Sequence, residues 1–147
     1  MIMAIDVSNT NITLGTFKGE KLLKIYRVTT KVPRTSDEYG VLLRDLVRLS
    51  NASHHDIEGV IASVVPNVMY SLTNACIKYF HVHPVIVGPG VKTGVKVGAE
   101  NPKEAGSDLI VNAAAVKELY GVPAIVIDYG TATSYQLVLE DGKLDSV

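Results

Sequence analysis

The sequence feature that most constrains the fold is a hairpin pattern that occurs twice, 122 positions apart. In the first copy an apolar run leads to Asp6, small polar residues follow, and apolar alternation resumes at Ile12. This order is typical of a strand, a tight turn and a second strand. In the second copy Ile127 and Asp128 take the positions of Ile5 and Asp6. The repeat predicts a duplicated fold in which two similar turns face each other across a cleft.

The register of the repeat continues without a gap beyond the two turns. Residues 17–22 correspond to residues 139–144, and each segment contains a glycine turn followed by Lys-Leu. Each copy therefore predicts three consecutive strands. We expect residues 1–120 to form an N-terminal domain and residues 121–147 to form the opening strands of an incomplete second domain. A hairpin of that size cannot bury a core by itself.

Composition restricts the class of protein. Hydrophobic content of 47% and charged content of 20% are globular values, and a net charge of −1 gives no reason to expect nucleic acid or an anionic membrane as partner. The single Cys76 excludes an intrachain disulfide and fits a reducing cytosol. We see neither a signal peptide nor a membrane-spanning run. These features predict a soluble cytoplasmic protein.

Three helices are predicted from capping residues and apolar spacing. The first begins after Thr35, where small polar and acidic residues up to Glu38 match a capping box. The second begins at Pro66, a residue suited to the first helical position. The third ends near Tyr120, with Gly121 as its left-handed cap.

Strands are predicted around these helices. Residues 22–28 follow the first hairpin, and short apolar runs at residues 59–65, 84–87 and 122–127 predict strands buried on both faces. The predicted order is βββαβαβα, followed by two strands and the start of a third.

The two repeated turns carry groups that suit a magnesium-bound phosphate. Asp6 and Asp128 each end an apolar strand, where an uncompensated carboxylate is costly and a cation would compensate it. Alternatively, each aspartate caps its own turn. Gly130 would let the backbone approach a phosphate closely. The neighbouring side chains that can donate hydrogen bonds to phosphate oxygens are those of Asn9, Thr10, Thr131 and Thr133.

A third carboxylate, Asp108, lies at the start of the third helix, after Gly106 and Ser107. Phosphoryl transfer to an alcohol needs a group that accepts the hydroxyl proton, and an aspartate at this place suits that role. The alternative is that Asp108 only complements the helix dipole. The residues by themselves leave both interpretations open.

The ordered set of motifs resembles the type III pantothenate kinases, a family in the superfamily of acetate kinases, sugar kinases and actin. Residues 6–10, Asp-Val-Ser-Asn-Thr, match the family's Asp-x-Gly-Asn-Thr pattern. Residues 128–133, Asp-Tyr-Gly-Thr-Ala-Thr, match its Asp-x-Gly-Thr-Ala-Thr pattern. The resemblance covers the whole chain. Further segments that resemble family segments in the right order are residues 35–40, 63–66, 87–94 and 101–108.

The resemblance implies an α/β fold with a ribonuclease H-like (actin-like ATPase) domain, followed by the first strands of the duplicated domain. It implies ATP-dependent phosphorylation of pantothenate to 4'-phosphopantothenate, the first step of coenzyme A biosynthesis. It also implies Mg²⁺, a monovalent cation (K⁺ or NH₄⁺) and a homodimer. No nucleic acid or membrane partner is implied.

The resemblance also implies roles for individual residues. Asp108 would accept the proton of the pantothenate hydroxyl, Asp128 would bind the monovalent cation, and Asp6 would lie near the magnesium carried by the nucleotide. The substrate would be lined by Gly106, Ser107, Asp108 and Leu109. The ATP-binding residues would be Asp6, Val7, Ser8, Asn9, Thr10, Asn11, Ile12, Thr13, Gly130, Thr131 and Thr133.

Three residues depart from the family pattern. Ser8 replaces the glycine of the first motif, Leu109 stands in place of an arginine, and Ala99 stands where many relatives have a tyrosine. The last two leave open a kinase of the same superfamily that acts on another small alcohol. A second alternative is a non-catalytic protein similar to the Bvg accessory factor, which was once linked to transcription.

Overall fold

The computed structural model describes residues 1–51, 56–88, 90–98, 105–130 and 132–146. Ser146 is described by its backbone only. These residues form two compact units, Met1–Ile86 and Val87–Val147. These two units are defined by compactness. The predicted domain boundary after residue 120 marks instead the point where the sequence repeat begins again, and it stays a prediction.

The first unit is built on a five-stranded sheet with the order β3-β2-β1-β4-β5. Tight turns connect β1, β2 and β3, which pair antiparallel, whereas β1, β4 and β5 pair in parallel and need longer connections. The strands are β1 (Ile2–Val7), β2 (Asn11–Lys18), β3 (Lys21–Thr29), β4 (Glu58–Ser63) and β5 (Val85–Ile86).

Two helices, α1 (Ser36–Leu49) and α2 (Pro66–Phe80), belong to this unit. Thr35 and Glu38 form the predicted capping box at the start of α1. Pro66 is the first residue of α2, and His81 ends that helix in the left-handed conformation. One face of the sheet and the two helices share a core that consists of Met3, Ile5, Val7, Ile12, Leu14, Tyr39, Leu43, Val47, Ile57, Ile61, Val68, Leu72, Ala75 and Cys76.

The second unit contains the helix α3 (Ser107–Leu119) and the antiparallel strands β6 (Ala124–Tyr129), β7 (Thr133–Val138) and β8 (Leu144–Ser146). Gly121, which follows the C-cap residue Tyr120 of α3, has a φ of 91°, as predicted for a left-handed cap. A small core forms where Ala113 of α3 meets Val138 and Leu144.

The predicted order of helices and strands is confirmed. The strand bounds also follow the repeat, because β6 and β7 begin 122 positions after β1 and β2. The pairing differs by one residue: Val7 pairs with Ile12, whereas Tyr129 pairs with Thr133. The second turn is therefore one residue shorter than the first.

The predicted burial of two strands is wrong. Residues 84–87 contain only the two-residue strand β5, which is exposed and, among the strands that the structure describes, pairs only with β4. In β6, Ile125 and Ile127 are exposed, because the described part of α3 packs on the other face of that sheet, around Val126 and Val138. Within the described ranges, no helix is long and apolar enough to cross a membrane.

Candidate functional site

The first candidate phosphate turn joins β1 to β2. The Ser8 amide donates to the Asn11 carbonyl at 2.9 Å, which closes the turn. Thr30, the residue after β3, holds this turn in place: its hydroxyl donates to the Ser8 carbonyl at 2.8 Å, and its amide donates to the Thr10 carbonyl at 3.0 Å. The side chains of Asn9 and Thr10 are exposed. Thr30 could not be recognised from the sequence, because it lies 20 residues from Thr10 and carries no local signal.

Asp6 lies on the face of the sheet opposite the first unit's core, because β1 alternates and its neighbours Ile5 and Val7 point inward. It pairs across the sheet with Thr13 of β2, and Thr13 pairs with Arg27 of β3. Asp6 is exposed. The cost of burying a carboxylate therefore no longer argues for a cation at this place.

The residue that departs from the first motif, Ser8, fits its backbone without strain. Neither Ser8 nor Gly130 of the second motif has a positive φ. A glycine is therefore not needed for backbone conformation at either position.

The second candidate turn joins β6 to β7. The Gly130 amide donates to the Ala132 carbonyl at 3.3 Å, and Thr133 begins β7 with an exposed side chain. Asp128 is one residue from the end of β6 and is exposed. Thr131 lies outside the described residues. As with Asp6, the burial argument for a compensating cation does not apply to Asp128.

Asp108 is the second residue of α3, after the cap residue Gly106 and the buried Ser107. Its Oδ1 accepts the amide of Leu109 at 2.9 Å, and its side chain is half-buried. Leu109, which stands in place of the family's arginine, is also half-buried. The preceding residues 101–104 and Ala99 lie outside the described residues.

Two polar residues that the sequence analysis missed connect these candidates. Gln136 of β7 is fully buried, and its Nε2 donates to the Leu109 carbonyl at 2.8 Å. Asn112 of α3 donates from Nδ2 to Gln136 Oε1 at 3.0 Å and to Asp128 Oδ2 at 3.3 Å. The second unit thus brings the start of α3, which carries Asp108, and the end of β6 into one hydrogen-bonded group.

The described residues contain no cluster of three or more histidine, cysteine or acidic side chains that could hold a metal ion. Mg²⁺ in kinases is commonly bound by one or two carboxylates together with substrate phosphates, so a kinase does not need such a cluster. Asp6 and Asp128, each at an exposed strand end, are carboxylates of the type that this binding mode uses.

Comparisons with known proteins agree with the motifs. The model of the type III pantothenate kinase family matches residues 2–146. A type III pantothenate kinase from Agathobacter rectalis is 52% identical over 143 residues, which are 97% of this chain and 55% of that protein. One from Halalkalibacterium halodurans is 52% identical over 141 residues, 95% of this chain and 56% of that protein. The chain therefore spans about half the length of these relatives.

A fold comparison gives a consistent result. The crystal structure of the ROK hexokinase from Thermus thermophilus matches with a TM-score of 0.50 and 13% sequence identity, over 97% of this chain and 47% of the hexokinase. At this identity the likeness concerns the fold alone, and it supports the predicted actin-like ATPase class. On the family match over almost its whole length, the chain belongs to the type III pantothenate kinase family.

Proposed function

We propose that the full-length protein containing this chain transfers a phosphoryl group from ATP to pantothenate. The observation that carries the proposal is the family match over residues 2–146, together with relatives of that name at 52% identity. The product is 4'-phosphopantothenate, and the reaction would begin coenzyme A biosynthesis. We also propose the cytoplasm as its location and a homodimer as its assembly, as the resemblance implies.

The residues assigned to ATP are those of the two turns and of the strand ends beside them. The side chains of Val7 and Ile12 are buried in the core, so these two residues would contribute backbone groups only. Support comes from the first turn, where Thr30 occupies the carbonyls of Ser8 and Thr10. With its carbonyls occupied, the turn is better suited to an anion, since exposed carbonyl oxygens would repel phosphate. The ATP-binding residues of this proposal are Asp6, Val7, Ser8, Asn9, Thr10, Asn11, Ile12, Thr13, Gly130, Thr131 and Thr133.

Asp108 is assigned as the proton acceptor, within a substrate-binding segment of residues 106–109. The hydroxyl oxygen of pantothenate forms a bond to the γ-phosphorus, the bond from that phosphorus to the β,γ-bridging oxygen breaks, and ADP leaves. The hydroxyl proton passes to the Asp108 carboxylate. The half-buried position of this side chain in the first turn of α3 supports the assignment, because a proton acceptor has to be held in place and still be reached by the hydroxyl that it serves.

Two cations are part of the proposal. Asp6 would lie near the nucleotide's Mg²⁺, and Asp128 would bind K⁺ or NH₄⁺. When bound, these ions supply charge neutralisation for the polyphosphate. The oxygen-donor chemistry of exposed carboxylates fits both ions, since Mg²⁺ and K⁺ are hard cations that prefer oxygen ligands.

The test is phosphorylation of radiolabelled pantothenate by the full-length protein with Mg²⁺, K⁺ and ATP, comparing Asp108→Asn with the parent. A matched control is Asp37→Asn, because Asp37 is the second residue of α1 just as Asp108 is of α3. Both variants lose a favourable charge near a helix start. We expect kcat to fall about 10²- to 10⁴-fold in Asp108→Asn and to stay unchanged in Asp37→Asn.

Each outcome of this test has a distinct meaning. Equal kcat values in the two variants would assign Asp108 a helix-dipole role and remove it from the mechanism. If the parent protein phosphorylated another small alcohol but not pantothenate, the proposed substrate would be wrong and the kinase activity would stand. Absence of phosphoryl transfer to any small alcohol would favour the non-catalytic accessory role.

A further inference from the structure

The second unit contains a chain of side-chain hydrogen bonds that connects a backbone carbonyl to a carboxylate. It runs from the Leu109 carbonyl through the side chains of Gln136 and Asn112 to Asp128. Gln136 has no exposed surface, and Asn112 is half-buried. A fully buried amide whose nitrogen and oxygen both have hydrogen-bond partners is costly to disturb, since each broken bond leaves a buried polar group unsatisfied.

The chemistry of the partners fixes the direction of each amide. The Leu109 carbonyl can only accept, so Gln136 must present its NH₂ group there and its oxygen to Asn112. Asn112 must then present its own NH₂ group to that oxygen and to the Asp128 carboxylate. Because reversing either amide would bring oxygens together, the chain has one arrangement. It leaves Asp128 with further acceptor positions, since a carboxylate has about four.

The chain links the two assigned carboxylates of this unit. Asp108 and Asn112 are four residues apart on α3 and therefore lie on the same face of the helix, one turn apart. Leu109, whose carbonyl Gln136 binds, directly follows Asp108 in the first turn. The side chains of Gln136 and Asn112 together therefore connect the turn that carries Asp108 to the strand end that carries Asp128.

We propose that Gln136 and Asn112 are positioning residues for phosphoryl transfer, holding the Asp108 turn at a fixed distance from the Asp128 carboxylate. The inference rests on the proposed kinase function and adds two residues to it. Neither amide needs to touch substrate. The simpler alternative is that the pair only stabilises the contact between α3 and the sheet, and the experiment is designed to separate the two roles.

The experiment compares Gln136→Leu and Asn112→Ala in the full-length protein with Thr16→Val as a control. Thr16 is also fully buried, and its hydroxyl bonds to Ser50 at 3.1 Å in the first unit's core. All three changes remove a buried or part-buried side-chain hydrogen bond, and we expect all three to lower Tm. Asn112→Ala introduces a good helix former at a half-buried site, so it is the variant expected to fold even if Gln136→Leu does not.

We expect kcat for pantothenate to fall about 10- to 100-fold in both network variants, as for supporting residues that orient reactive groups. The KM for ATP should stay unchanged, and Thr16→Val should keep the parent kcat. In an Asp108→Asn background, Gln136→Leu or Asn112→Ala should then change the residual kcat less than about twofold, because a residue that acts through Asp108 has no effect once Asp108 is lost.

If Gln136→Leu and Asn112→Ala had the same kcat as Thr16→Val, the inference would be wrong and the kinase assignment would stay intact. If Gln136→Leu or Asn112→Ala lowered kcat by the same factor in the Asp108→Asn background as in the parent, these residues would not act through Asp108. A parent protein without pantothenate kinase activity would overturn the proposed function, and this inference with it.

Discussion

Gly40 on α1 lies directly against the ring of Tyr79 on α2, and a β-carbon built at Gly40 would overlap that ring. The ring is held in place: its hydroxyl donates to Asp37 Oδ1 at 2.7 Å, and the Arg44 guanidinium lies 5.5 Å from its centre. The glycine therefore permits the two helices to pack closely, which explains a residue of low helix propensity inside α1.

We predict that Gly40→Ala destabilises the chain. Overlap with the ring should cost about 1–3 kcal/mol, and the better helix propensity of alanine should offset about 1 kcal/mol of that cost. Urea unfolding followed by circular dichroism measures the net change. In a Tyr79→Ala background the same substitution should be neutral or stabilising. A parent-like midpoint for Gly40→Ala alone would show that the ring moves aside without cost.

We predict that the stability of the chain depends on pH through the carboxyl group of Asp37. Its pKa in the folded state is lowered, most by a hydrogen bond from Lys78 and next by one from Tyr79. Since the folded pKa lies below the unfolded one, the stabilisation is complete above about pH 4 and is lost as the pH falls through the folded pKa. Asp37→Asn should flatten the acid limb of the Tm–pH curve, and the difference should shrink in high salt because the ion pair is exposed. Parallel acid limbs for the two proteins would contradict this account.

Cys76 should be unreactive while the chain is folded. It is fully buried on α2, and burial raises the pKa of its thiol to about 11. At pH 8 only about one thiol in a thousand would be ionised, and the thiolate is the reactive form. We expect no labelling by a thiol reagent such as DTNB under native conditions and one equivalent per chain in denaturant. Rapid native labelling would show that α2 opens locally.

Several structural features could be predicted because their causes are local. Thr35 and Glu38 cap α1 with bonds between residues three apart, and Pro66 begins α2 because its fixed φ suits that position. The repeat predicted the start of β6 because Asp128 and the turn after it occur in the same order as Asp6 and its turn. Such signals are contained within a few consecutive residues.

The hydrogen-bonded group of the candidate site could not be predicted, because its partners come together only through packing. In β7 the sequence favours Tyr135 and Leu137 as the buried face, yet Tyr135 is 59% exposed and Gln136 is fully buried. Since neighbouring residues of a strand point to opposite faces, the face against which α3 packs decides which set is buried. Alternation alone does not contain that information, so Gln136 and Asn112 were missed.

Ile5 and Ile127 occupy equivalent positions of the repeated hairpin, but Ile5 is 2% exposed and Ile127 is 46% exposed. We therefore predict that Ile5→Ala costs about 2–5 kcal/mol in the 147-residue chain and that Ile127→Ala costs about 1 kcal/mol or less. Hydrogen exchange at increasing urea, read separately for β1–β2 and β6–β7, measures each hairpin's free energy of unfolding. Equal losses would mean that Ile127 is covered in solution, by a second copy of the chain if the loss depends on protein concentration. Since Ile127 is exposed, we expect a large loss in the free energy of unfolding only for Ile5→Ala in the first hairpin, at every protein concentration.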